Sequence, residues 1–79
     1  MIHEYTEIWR KDELIHRYSG FQSPNEILTF IKLNKIRGRI HVICKICDEE
    51  NCTEWAQYFF NNGKRTGAVF PFRHHITVD

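Results

Sequence analysis

Hydrophobic and polar positions alternate in two arms at the start of the chain, over residues 4–10 and 13–19, both rich in Tyr, Thr, Ile and Trp. They predict a β-hairpin closed at Lys11-Asp12. Its expected register sets Arg10 opposite Glu13, Trp9 opposite Leu14, Ile8 opposite Ile15, Glu7 opposite His16 and Tyr5 opposite Tyr18, all favourable cross-strand pairs. The period then changes. Ser23-Pro24-Asn25-Glu26 combines an N-cap serine, a proline at the first helical position and a capping-box glutamate. The helix it opens is expected to run to about Asn34, with Ile27, Leu28, Phe30 and Ile31 as its apolar face.

A basic link, Lys35-Ile36-Arg37-Gly38-Arg39, leads into Ile40-His41-Val42-Ile43-Cys44-Lys45-Ile46. This run reads as a central strand with Ile40, Val42, Cys44 and Ile46 on one face. Beyond it, Asp48 or Asn51 is suited to cap a second helix, and Cys52, Trp55, Ala56 and Phe59 follow the i, i+3, i+4, i+7 spacing. Asn61-Asn62-Gly63 would stop that helix. Lys64 to Gly67 reads as a basic turn, and Ala68 to Phe72 and His75 to Val78 as short strand segments. The expected fold is α+β, a single domain over 1–79 in the order β-β-α-β-α-β. Two helices would pack on one face of an antiparallel or mixed sheet.

At 79 residues the chain can bury one core, which the 14% aromatic share would help to fill. Eleven Lys+Arg against ten Asp+Glu give a net charge of +1, far from a strongly basic nucleic-acid-coating protein. No apolar run approaches a membrane span and the start does not resemble a signal peptide, so a cytoplasmic location is expected. Three cysteines within nine positions, without a secretory signal, argue against a disulfide framework.

The cysteine run His41-x2-Cys44-x2-Cys47-x4-Cys52, with His74 or His75 as a further ligand, has the donor chemistry of a tetrahedral zinc site. It lacks the residues of a zinc knuckle, and a strand would put Cys44 and Cys47 on opposite faces, so no metal site and no cofactor is expected. Cys47 with a histidine base is a weak nucleophile signal. Gly63-x3-Gly67 lacks the Lys-Ser/Thr pair of a phosphate loop. The acidic run Asp48-Glu49-Glu50 reads as helix-terminal charge. Nothing here specifies catalysis, and a non-enzymatic role is expected.

What remains is surface chemistry. The candidate partner-binding residues are the aromatics Tyr5, Trp9, Tyr58 and Phe60 and the basic residues Arg37, Arg39, Lys64 and Arg65. Aromatic anchors flanked by charge suit a module that binds a protein or protein complex of a host and blocks it by occlusion. In style, though not in any motif, the chain resembles the small proteins phages make against host or defence machinery, anti-CRISPR proteins among them. The alternatives are a small RNA- or DNA-binding regulator using the basic patches, and a zinc-stapled structural domain. A homodimer through the tyrosine-rich hairpin edge is a further expectation.

Overall fold

A computed structural model of the chain describes residues 2–69. It is mostly antiparallel sheet, with 59% strand and 15% helix. The elements are β1 (His3–Arg10), β2 (Glu13–Ser19), α1 (Pro24–Leu33), β3 (Arg39–Cys47), β4 (Cys52–Asn61) and β5 (Lys64–Val69). They form one five-stranded sheet in the order β2-β1-β3-β4-β5, with every neighbouring pair antiparallel. The segment from β2 to β3 carries α1 past β1, from one end of the sheet to the other. Terminal segments expected at Ala68 to Phe72 and at His75 to Val78 lie wholly or mostly outside the described residues.

The first helix follows its sequence signal. Ser23 Oγ accepts from the Glu26 amide at 3.3 Å, and Glu26 Oε1 accepts from the Ser23 amide at 3.0 Å, closing the capping box. At the other end Ile36 N donates to Ile31 O at 3.0 Å and Lys35 N to Lys32 O at 3.2 Å. Lys35 takes the left-handed φ of 52° that this helix-ending motif requires. Ile27 and Ile31 are buried on the sheet, joined in the core by Ile8, Ile40, Val42 and Phe60. Thr6, Cys44 and Ala56 continue the same buried face.

The expected second helix is strand β4, which overturns the two-helix α+β arrangement. Ala56, Tyr58 and Phe60 point to the core side with a period of two, set opposite Cys44, Val42 and Ile40 of β3. The residues at helical spacing do not share a face, since Ala56 pairs with Cys44 on the buried side and Phe59 with His41 on the other, and a β-bulge lies between them and Cys52. Register shifts by one residue between Cys44 and Lys45, leaving Trp55 extra, so Thr53 and Ala56 share a face although they are three apart. A tight turn lies at each end of β4. Asp48-Glu49-Glu50-Asn51 is the loop of the β3-β4 hairpin, with Asp48 Oδ1 accepting from the amides of Glu50 at 2.8 Å and Asn51 at 2.7 Å. Asn62-Gly63, with φ of 50° and 81°, is a two-residue hairpin turn rather than a helix stop.

The hairpin pairing of Arg10 with Glu13 and of Trp9 with Leu14 agrees with the sequence expectation, and the rest is shifted by one. A bulge near Ile15 puts Ile8 opposite His16, Glu7 opposite Arg17 and Thr6 opposite Tyr18. The shift sends His16 and Tyr18 under the helix, where their rings meet Phe30 at 5.0 and 5.9 Å. It also brings Arg17 to the other face, opposite Glu7.

The cysteines divide. Cys44 is free and buried, 3.8 Å from Thr6 Oγ1, and burial pushes its thiol pKa up. Cys47 and Cys52 are directly paired across the hairpin and joined in a disulfide, contrary to the expectation from composition. No helix among the described residues is long and apolar enough to cross a membrane.

Candidate binding face

Helix α1 covers one face of the sheet, and no described element lies on the other. The odd-numbered residues of β1 and β3 project from this open face, and strand register arranges them in rows. One row reads Leu14, Trp9, His41, Phe59, Gly67 and the next Arg17, Glu7, Ile43, Gln57, Val69. A third contains Ser19, Tyr5, Lys45 and Glu54.

Two polar networks hold these side chains. Glu7 is 8% exposed, and its Oε1 accepts from Lys45 Nζ and Trp9 Nε1, each at 3.0 Å. Burial alone would raise the Glu7 pKa. The hydrogen bonds from Lys45 and Trp9 and the charges of Lys45 and Arg17 outweigh that and hold it below the usual carboxylate value. The Arg17 guanidinium lies over the Tyr5 ring, 4.7 Å from its centroid. In the second network Gln57 Nε2 donates to both oxygens of Glu54 at 3.1 and 3.2 Å, which turns Gln57 Oε1 toward His41 Nε2 at 2.7 Å. With Oε1 as acceptor, His41 carries a proton on Nε2. The His41 ring is thereby fixed parallel to Phe59, with 10° between planes and 4.7 Å between centroids.

Charge is sorted along the strands. Seven of the eleven lysines and arginines, Arg10, Lys11, Lys32, Lys35, Arg37, Arg39 and Lys64, come to the end of the molecule that holds the β1-β2 turn, the C-terminus of α1 and the β4-β5 turn. Two backbone-linked contacts tie that end together: Asn62 Oδ1 accepts from Gly38 N at 2.9 Å, and Asn62 N donates to Gly38 O at 3.1 Å. Asp12 and Glu13 are the acids there, and Glu13 Oε1 is 3.7 Å from Arg10. Glu4 and the Asp48-Glu49-Glu50 loop occupy the opposite end. Where the basic end meets the open face lies a groove of about 880 Å³ lined by Arg10, Lys11, Gly38, Arg39, Ile40, His41, Phe59, Phe60, Asn61, Thr66 and Gly67. Among the described residues no carboxylate lines it.

The residues singled out from sequence are divided by this geometry. Tyr5 and Trp9 lie half-buried on the open face, and Arg37, Arg39 and Lys64 are exposed at the basic end. Phe60, expected at the surface, is 1% exposed in the core, and Tyr58 is half-buried on the helix side, where burial raises its phenol pKa. Arg65 also leaves the group, lining a small groove with Pro24, Asn25 and Leu28 of the helix. The sequence reading missed Arg10, Arg17, His41, Phe59 and Gly67 as members of one surface. Regular alternation from the Cys47–Cys52 pair would set Tyr58 opposite His41; the bulge at Trp55 brings Phe59 there instead, and nothing in the sequence marks that bulge.

The zinc alternative finds no common point. Cys44 faces the core, His41 the open face, and Cys47 is bonded to Cys52. His74 and His75 lie outside the described residues, and among the described residues no three His, Cys, Asp or Glu side chains are grouped to hold a metal. No family model, curated protein or solved structure matches the chain.

Proposed function

We propose that this chain is a non-catalytic binding module that acts by occlusion, laying the basic end of its open sheet face on an anionic macromolecular surface and so blocking it. The single observation that supports the reading is the meeting of an aromatic row with a basic groove in which no carboxylate of the described residues takes part. Aromatic rings supply contact area at small entropic cost, while the cations supply attraction and orientation. A protein of this kind suits the setting of a phage-type inhibitor, because occlusion needs only shape and affinity. In this reading His41 and Phe59 take the place of Tyr58 and Phe60 among the surface aromatics.

Retention on immobilised heparin, a polyanion without bases, tests this reading. The wild-type protein should be held in low salt despite its net charge of +1, and a Lys11→Glu/Arg39→Glu variant should elute far earlier. A Glu49→Gln change at the acidic end should leave elution almost unchanged. Equal elution of wild type and the double variant would remove the basic end from the function.

A further inference from the structure

Three of the four glycines adopt left-handed backbone: Gly20 at φ 87°, Gly38 at 88° and Gly63 at 81°. Gly67 does not. It lies within β5, where a glycine weakens a strand and where its backbone imposes no need for one. The bulge beside it is built on Thr66, so that irregularity does not require a glycine either.

What Gly67 does is leave space next to Phe59. The two residues are directly paired, and a Cβ at position 67 would lie 3.7 Å from Phe59 Cδ2, an ordinary contact. Any larger side chain there would stand against the ring. His41 already stacks on Phe59 from the β3 side. Among the described residues the β5 side, above Gly67, is therefore an open end to a two-ring stack, inside the groove that Arg10, Lys11 and Arg39 rim.

We infer that this slot receives an unpaired nucleic-acid base, which extends the His41–Phe59 stack over Gly67 while neighbouring phosphates of the same strand lie on Arg10, Lys11 and Arg39. Every base has a π-face, so a stacking slot of this kind is tolerant of sequence. A duplex keeps its bases stacked inside and presents none to a slot on a sheet, so the strand must be single. The exposed Arg10–Glu13 contact at 3.7 Å does not remove Arg10 from the set, since a loose surface pair holds its arginine weakly. This inference rests on the polyanion-binding reading above and adds the nature of the ligand to it.

The test is fluorescence anisotropy with a labelled oligouridylate of about ten nucleotides, titrated at several salt concentrations, beside a GC-rich hairpin duplex that stays paired in low salt and beside heparin. Gly67→Val fills the slot with a residue that suits a strand, and it should weaken oligouridylate binding roughly tenfold, a much larger loss than any in heparin retention, with the melting curve almost unchanged. Phe59→Leu, which keeps apolar bulk but removes the stacking face, should act in the same direction. The wild-type slope of log affinity against log salt should be roughly −2, as for three phosphate contacts on a single strand, and Arg39→Gln should reduce it by about 0.7. Unchanged oligouridylate affinity in both Gly67→Val and Phe59→Leu, or duplex bound as tightly as single strand, would overturn the base slot. Heparin retention without oligouridylate binding would also overturn it, assigning the groove to an acidic protein surface and leaving the broader reading intact. Failure to bind either polymer would end both.

Discussion

Glu7 is nearly buried on a face that is otherwise open, and it remains charged because Lys45 and Trp9 donate to it. Its folded pKa is lowered relative to the ordinary 4.5, so its contribution to stability is fully present above that value and is lost as pH falls through the folded pKa. Glu7→Gln should cost about 1.5 kcal/mol near neutrality, the worth of a hydrogen bond to a charged group, and should flatten the acid side of the stability profile. Thermal melting of both proteins from about pH 3 to pH 7 checks this, with the two curves converging at the acid end. A gap that persists at the lowest pH would show that Glu7 acts through packing and not charge. At this same scale, some residues spoke for themselves in the sequence and others did not. Ser23, Pro24 and Glu26 form a motif with one structural meaning. Asn62-Gly63 has two, because left-handed backbone serves both to end a helix and to turn a hairpin. Phe60 was misplaced as a consequence: on a helix it cannot share the face of Phe59, and on a strand it is the one that enters the core.

Among the elements, α1, β1, β2 and β3 were legible because each is regular over most of its length. β4 was not, because its bulge at Trp55 inserts a three-residue step into a two-residue alternation. The same step occurs at Ile15 in β2 and at Thr66 in β5. In β2 the step displaced the register without hiding the strand, whereas in β4 it hid the strand itself, and each bulge, once found, assigns residues of the open face. The β3-β4 hairpin also carries a covalent clasp. Cys47 and Cys52 flank a four-residue loop already held by Asp48, whose N donates to Asn51 O at 2.9 Å. In the chain-entropy picture so short a loop yields about 2 kcal/mol from its disulfide. A Cys47→Ser/Cys52→Ser variant should therefore remain folded, with stability lower by about that amount or less in urea titration. It should also match the wild type under reducing conditions. Complete unfolding of the variant would mean that the clasp, and not the packing of β4 on β3, holds the second half of the sheet.

For the whole molecule, the number that misled was the net charge. A sum of +1 suggested weak attraction to any polyanion. The sum conceals a sorting that no stretch of sequence displays, because Arg10, Arg39 and Lys64 are far apart in the chain and are assembled by the order β2-β1-β3-β4-β5. The basic patches were legible as composition; their union with His41 and Phe59 required the register. The candidate face is a product of topology in the same way that the core is.

This polarity also bears on how copies of the protein meet one another. The described residues extend 37 Å along their longest axis, while electrostatic forces in about 0.1 M salt reach only about 10 Å. Each end is thus sensed locally by a neighbour, as though the far end were absent. In dilute buffer, where that reach grows to about 30 Å, the unlike ends of neighbouring molecules attract more strongly, and the basic end of one should find the acidic loop of the next, giving a negative second virial coefficient in static light scattering. Added salt should drive that coefficient upward, the reverse of what a uniformly charged protein shows. A protein of nearly zero net charge would then be least sociable in brine and most so in plain water.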